Sequence, residues 1–399
     1  MKVHKTGVTT PLGFKSSGVH CGIKMRKLDL GLLISQVPAQ VSAVFTTNKL
    51  YSPHIDIDKA NIKKSKTQAI VVNSGNANCY NGKKGYDDVL SIISKAASIL
   101  KVKASAVLFA STGIIAKPLP LALMNKKIPK LVKKLSKDAK DEFSHSILTT
   151  DREVKQLTVS SNIAGKQVSI GGCIKGAGMI CPDMATTLCF LTTDAVIKKD
   201  ALKKVLHQAV AETLNMLTVE GDMSPNDSVF LMANGMAKNK AIEKTHKSYL
   251  QFKKALVYVL MELSKKLILD AEGATKLIKV HVKGAKTSKE AKKAAFSVAN
   301  STLVKTACYG EDPNWGRVVS AVGASRVTLK PDKVEVSFDN ILVFKHMQPQ
   351  KYDVNKLARA FKKKEIDINI NLHSGLKEAT VLTCDLSKKY IVINAHYRT

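Results

Sequence analysis

Residues 173–194 read CIKGAGMICPDMATTLCFLTTD. Thr186 and Thr187 stand side by side there, between a loop of small residues and an apolar run. A threonine hydroxyl is a weak nucleophile unless a base takes its proton. Neither His nor Ser accompanies the pair, and the only carboxylates of the stretch are Asp183 and Asp194. Gly176 and Gly178 would let the backbone approach another group closely. Four more stretches gather Gly, Asn, Thr, Ser and Asp behind apolar runs: NSGNANCYNG (73–82), ASTGIIAKPLP (110–120), EGDMSPNDS (220–228) and YGEDPNWGR (309–317). One such loop is ordinary turn chemistry. Five in one chain read as a site assembled from strand ends, where α/β proteins keep their chemistry.

Phosphate-binding loops are excluded by spacing. GGCIKGAG does not fit G-x-x-x-x-G-K-[ST], and GAGMIC lacks the third glycine of the dinucleotide fingerprint. The seven cysteines (21, 79, 173, 181, 189, 308 and 384) form no CxxC, and the ten histidines form no HxH or HExxH. Neither disulfides nor a metal centre is expected.

These loops must be held by elements of both kinds. QAIVVNSG (68–75) and SAVLFASTG (105–113) read as buried strands ending in small-residue turns. Between them, Val89, Ile92, Ile93, Ala96 and Leu100 recur at helical spacing. Residues 200–217 and 249–267 repeat that period, with Asp200 a candidate N-cap. Strands are expected at KVEVSFD, IDININ, ATVLTCDL and YIVINAHY in the last third, with a short helix at 354–362. Alternation of this kind predicts an α/β protein of two sandwich-like domains, with a boundary near 180–195.

With 399 residues and 45% hydrophobic composition, the chain can bury two sizeable cores. No window of about 18 apolar residues suggests a membrane span. The opening MKVHKTGVTTPLGF lacks the apolar run of a signal peptide. A soluble, cytoplasmic protein is expected. The formal net charge of +31 invites a nucleic-acid reading. Against it, only six of the 63 basic residues are arginine (26, 152, 317, 326, 359 and 398), and aromatics are 5%. Arginine is the preferred fork for phosphates and base edges. The lysines read as solvated faces, with salt-labile attraction to polyanions and no specific nucleic acid.

KGAGMICPDMATTLCFLTTDA (175–195) closely resembles the self-cleavage segment of the ornithine acetyltransferases, also called bifunctional glutamate N-acetyltransferases. GVTTPLGFKSSGVHCGIKMRKLDLGLLIS, NSGNANCYNGKKG, STGIIAKPLP, EGDMSPNDS, AEGATK, KTACYGEDPNWGR and the terminal INAHYRT match the same family in order. The resemblance covers essentially the whole chain.

It implies a precursor that cuts itself between Ala185 and Thr186. The products would be a 1–185 α chain and a 186–399 β chain, each an α/β domain in a sandwich fold with an N-terminal threonine nucleophile. A freed Thr186 carries its own base, an α-amine of pKa about 7.7–8.0. The implied reaction moves acetyl from N-acetyl-L-ornithine to L-glutamate through acetyl-Thr186, giving L-ornithine and N-acetyl-L-glutamate in arginine biosynthesis. By motif, Thr112 and Gly113 would form the oxyanion hole. Thr149 (favoured over Thr150), Lys175, Thr186, Glu272, Asn394 and Thr399 would bind substrate. Lys175 suits the α-carboxylate that both amino acids share.

No cofactor is implied. Acetyl-CoA is a donor for some members, and no motif here decides whether it is one for this chain. The mature family form is an α2β2 heterotetramer. Asp183 replaces the family's Asn, Thr187 its Met, and Met223 and Pro225 stand where Thr is usual, so neither of the last two is assigned a role. The alternative is an N-terminal-nucleophile amidase or aminopeptidase that releases its acyl group to water.

Overall fold

The computed structural model describes residues 1–138, 141–181 and 187–396. Pro182, Asp183, Met184, Ala185 and Thr186, and also Thr399, lie outside the described residues. Nine strands build a first layer pair: β1 (Lys2–His4), β2 (Phe14–Val19), β3 (Leu30–Phe45), β4 (Thr67–Asn76), β5 (Val107–Ile114), β6 (Lys155–Ile163), β7 (Lys166–Lys175), β8 (Leu188–Thr193) and β9 (Ser228–Ala233). They run β1-β6-β7-β8-β9-β3-β4-β5, with β2 also on β3.

The long strand β3 serves two partners. Its first half, Leu30–Ile34, pairs with β2 and β4, and its second half, Gln40–Phe45, pairs with β9. The register slips between Ile34 and Ala39, a span that holds Pro38, which has no N–H for the ladder. The sheet therefore turns on itself there. Leu33, Ile70, Val72 and Leu108 from one half meet Cys173, Phe190, Phe230 and Met232 from the other in a single apolar cluster. Phe190 stacks on Phe230, with ring centroids 5.7 Å apart.

Helices cover both outer faces. α1 (His54–Lys64), α2 (Gly82–Leu100) and α3 (Leu121–Lys133) pack on the β3–β5 half, and the short α4 (Glu142–Ser146) contributes Phe143 between the halves. α5 (Lys199–Glu212) and α6 (Lys247–Leu269) cover β6–β9. A second, six-stranded sheet comprises β10 (Leu277–Ala285), β11 (Glu335–Phe338), β12 (Ile341–Lys345), β13 (Gln348–Pro349), β14 (Glu365–Asn371) and β15 (Lys377–Cys384), in the order β13-β12-β11-β14-β10-β15. It packs on α7 (Ser288–Ala299), α8 (Thr302–Tyr309), α9 (Trp315–Gly323) and α10 (Val354–Phe361). α11 (Lys388–His396) follows β15.

The α/β class and the expected strands at 68–75 and 105–113 are present as β4 and β5. Three expectations differ. YIVINAHY forms part of helix α11, not a strand. Tyr390 and Asn394 fall at i and i+4 on one face, while Ile391 and Val392 stand 64% and 59% exposed. Asp200 lies inside the first turn of α5 and pairs with Lys244 at 2.8 Å, Lys198 taking the cap position. The 200–217 helix stops at Glu212, followed by a tight turn at Leu214–Met216.

The spans 1–185 and 186–399 do not each own a sheet. β8 and β9 belong to the first sheet, β8 paired to β7 and β9 to β3, and the passage to the second sheet falls between Ala233 and Leu277. Among the described residues no disulfide joins two cysteines. Among the described residues no helix is long and apolar enough to cross a membrane.

Candidate active site

The C-terminal end of β5 carries Thr112 and Gly113 beside Gly75 and Asn76 of the parallel β4, where the register slips by one residue. Gly113 sits at φ +130°, and a Cβ there would meet the Gly75 carbonyl carbon at 2.3 Å and Asn76 N at 2.5 Å. Only glycine satisfies both the backbone angle and this approach. Asn226 locks the corner. Its amide donates to Ala77 O at 2.6 Å and to Ser111 O at 2.9 Å.

Strand β7 ends at Lys175, in register with Leu188, the first residue of β8. The Lys175 side chain is buried, 4% exposed, and among the described residues nothing bonds its ammonium group. Burial lowers its pKa from the ordinary lysine value, opposed by Asp151, Asp227 and Glu272. A buried cation without a partner is costly. Here it lines a cavity of about 130 Å³, which is where an anionic ligand would repay that cost.

Thr187 is accounted for by the frame. Its hydroxyl donates to Lys175 O at 2.7 Å and its N–H to Asp227 Oδ1 at 2.7 Å. It is 2% exposed, so it is no candidate nucleophile. Asp227 is fully enclosed, and burial raises its pKa well above the usual carboxylate range. Among the described residues its Oδ2 has no hydrogen-bond partner.

Asp151 organises the floor. Oδ1 accepts the Gly176 N–H at 2.8 Å and the Lys155 ammonium at 2.6 Å, and Oδ2 accepts the Thr149 N–H at 3.0 Å. Lys155 also pairs with Asp270, which Arg152 holds at 2.9 Å. Burial works to raise the Asp151 pKa, but Lys155 and Lys175 overcome it and hold the carboxyl at about 2.

Two further carboxylates, Glu220 and Glu272, line the same cavity. Glu272 Oε2 accepts the Asn394 amide at 2.9 Å, and Glu220 Oε2 accepts the Ile180 N–H at 3.0 Å. Burial pushes Glu220 up to about 7. Tyr390 stands over both carboxylates, and burial followed by those charges raises its hydroxyl pKa. Met179, in the turn beneath, adopts φ +59°, uncommon for a non-glycine residue.

The cavity thus brings together Thr112, Gly113, Thr149, Lys175, Glu272 and Asn394, which lie far apart in sequence. Thr150 lines it as well. Ala185, Thr186 and Thr399 lie outside the described residues. Sequence reasoning left Asp151, Glu220, Asn226, Asp227 and Tyr390 without roles. Glu220, Asn226 and Asp227 fall in EGDMSPNDS, already marked as a polar loop behind an apolar run, and Asp151 follows the marked Thr149–Thr150. Tyr390 gave no local signal. Among the described residues no group of three His, Cys, Asp or Glu side chains is placed to hold a metal ion.

The model of the ArgJ family matches residues 15–399. The arginine biosynthesis bifunctional protein ArgJ of Bacillus thuringiensis subsp. konkukian is 43% identical over 399 residues, covering 100% of this chain and 98% of that protein. The protein of the same name from Staphylococcus epidermidis is 42% identical over 400 residues, with both chains fully covered. A crystal structure of arginine biosynthesis bifunctional protein ArgJ from Bacillus halodurans is 37% identical with a TM-score of 0.51, covering 52% of this chain and 98% of that one.

Proposed function

The chain belongs to the ArgJ family, and on that premise we propose that this cavity is where acetyl passes from N-acetyl-L-ornithine to L-glutamate, giving L-ornithine and N-acetyl-L-glutamate. The protein is an acyltransferase of arginine biosynthesis. The observation that carries the site assignment is the buried Lys175 ammonium, without a hydrogen-bond partner among the described residues, lining the same cavity as the Thr112–Gly113 corner. The cavity offers a cation for an α-carboxylate and carboxylates for a side chain.

Maturation comes first. The Thr186 hydroxyl attacks the Ala185 carbonyl, the peptide N–C bond breaks in an N→O shift, and water hydrolyses the ester. That leaves a 185-residue chain and one of 214 residues (399 − 185). The solved relative supports this division, because almost all of it aligns to just 52% of this chain, the length of one fragment.

In the first transfer step Thr186 Oγ attacks the acetyl carbonyl and its proton passes to the Thr186 α-amine. The Thr112–Gly113 corner stabilises the oxyanion. The C–N bond breaks, and ornithine leaves carrying that proton on its amine. In the second step glutamate's amine attacks the acetyl ester, and the proton returns to Oγ. Lys175 receives the α-carboxylate in both steps, and Thr149, Glu272, Asn394 and Thr399 complete the substrate contacts. Side chains, the free amine and two amino acids suffice, without a cofactor. After cleavage β7 and β8 remain paired across the two fragments, and two such units form the α2β2 assembly.

The test is a mass measurement. Incubation with N-acetylornithine alone should add one acetyl group to the 214-residue fragment, and glutamate should remove it as N-acetylglutamate. Steady release of acetate without glutamate would instead identify an amidase.

A further inference from the structure

We propose that Glu220 lets one cavity accept side chains of opposite charge: as a carboxylate beside Glu272 it receives the ammonium of ornithine, and as a neutral acid it donates a hydrogen bond to the side-chain carboxylate of glutamate. The proposal rests on the acetyl-transfer reading above. A ping-pong site must hold both amino acids in turn with their α-groups in the same place. Their side chains must then reach the same wall, one positive and one negative. A wall of fixed charge would repel one of them.

The geometry makes Glu220 the adjustable member. Gly178 has no side chain, and a Cβ there would lie 2.7 Å from Glu272 Oε2 and 3.2 Å from Glu220 Oε1. The two carboxylates therefore converge over one glycine, with at most the sum of those distances between their oxygens. Glu272 is committed through Oε2 to the Asn394 amide. Glu220 anchors Oε2 on the Ile180 N–H and leaves Oε1 facing its neighbour. The neighbouring Glu272 charge adds to burial in raising the Glu220 pKa, which favours its neutral acid. The buried Lys175 ammonium lines the same cavity with no hydrogen-bond partner among the described residues, which independently marks it as a ligand site and offers a cation for the α-carboxylate.

The groups around Glu220 act in both directions. The Glu272 charge raises its pKa, while the Tyr390 hydroxyl, hydrogen-bonded to Glu220, favours the carboxylate. The Glu220 charge in turn acts on the Cys384 thiol. The Met179 and Ile180 N–H groups favour the carboxylate. The Lys305 charge also favours the carboxylate. Its ammonium is already bonded to Val219 O at 2.8 Å, Thr383 Oγ1 at 3.0 Å and Cys384 O at 2.6 Å. Burial leaves Glu220 titrating at about 7, so either state is reached at neutral pH. Glutamate binding then draws one proton from solvent onto Glu220, and ornithine binding releases it.

Isotope exchange separates the two half-reactions: labelled ornithine into N-acetylornithine, and labelled glutamate into N-acetylglutamate. In the native enzyme the ratio of ornithine KM to glutamate KM should fall as pH rises through about 7. Taking the ratio removes the α-amine titration common to both. Glu220→Gln is neutral at every pH and keeps an oxygen for the Ile180 N–H. It should raise that ratio about tenfold or more and flatten its pH dependence. Glu220→Asp should restore the dependence. Equal changes in both KM values, or a pH-dependent ratio that survives in Glu220→Gln, would overturn the proposal alone. If Glu220→Gln fails to mature, the native enzyme decides, and a pH-independent ratio overturns it. Absence of both exchanges in the native enzyme would overturn the acetyl-transfer reading with it.

Discussion

At the scale of single residues, two adjacent threonines divide the labour. Thr187 has its hydroxyl on Lys175 O and its N–H on Asp227, so its side chain serves the frame. Thr187→Val should still yield both fragments, with a stability loss of about 1 kcal/mol for the missing hydrogen bond. Thr186→Val should yield one uncut chain. Intact mass distinguishes them, and cleavage of the Thr186 variant would remove the maturation scheme. Thr112 is the second residue to test. If it stabilises the oxyanion, Thr112→Ala should lower kcat by about 10²–10³ with a much smaller change in KM. Steady-state kinetics decide, and an unchanged kcat takes Thr112 out of that role.

At the scale of elements, the floor of the site depends on how the segment before β6 is tied to the end of α6. Lys155, 2% exposed, bridges Asp151 and Asp270, and Asp151 in turn holds the N–H groups of Thr149 and Gly176. Lys155→Met removes the cation and strands two buried carboxylates, at a cost of about 3–5 kcal/mol near pH 7. The sign with pH follows from Asp151. Its folded pKa of about 2 lies below the ordinary 3.8, so its contribution is present above 3.8 and is lost as pH falls through about 2. The variant's deficit should therefore shrink on acidification, since protonated carboxyls no longer need the lysine. Denaturant unfolding at pH 7 and near the folded pKa of about 2 tests this, and an equal deficit at both would mean that Lys155 acts by packing.

At the scale of the whole molecule, cleavage at Ala185–Thr186 would not separate two bodies. β8 lies between β7 and β9, and β9 lies against β3, so a cut chain keeps ladders on both sides of the new N-terminal segment. Phe190 and Phe230 of the later fragment stack within the cluster that holds Leu33 and Leu108 of the earlier one. The two fragments should co-elute in size exclusion under native conditions and part only in denaturant. Separation in native buffer would contradict this interleaving.

Much of the chemistry was legible in the chain itself. The polar loops behind apolar runs are local patterns of residue type; the roles of Thr112, Gly113, Lys175 and Glu272 came from the resemblance to a family, and these four residues line one cavity. β4, β5 and most helices were legible too, because hydrophobic period acts over a few neighbouring residues. What depended on distant partners was not legible. YIVINAHY alternates like a strand, yet it forms a helix whose Tyr390 and Asn394 face the carboxylates, an outcome set by the wall it packs against. That Glu220 and Glu272 meet over Gly178, 42 and 94 residues earlier in the chain (220 − 178 and 272 − 178), is a product of tertiary closure. So is the interleaving of the two spans in one sheet. Residue types determined which groups could react. Burial and pairing between remote segments decided which ones share a cavity, which lack partners, and which proton states they hold.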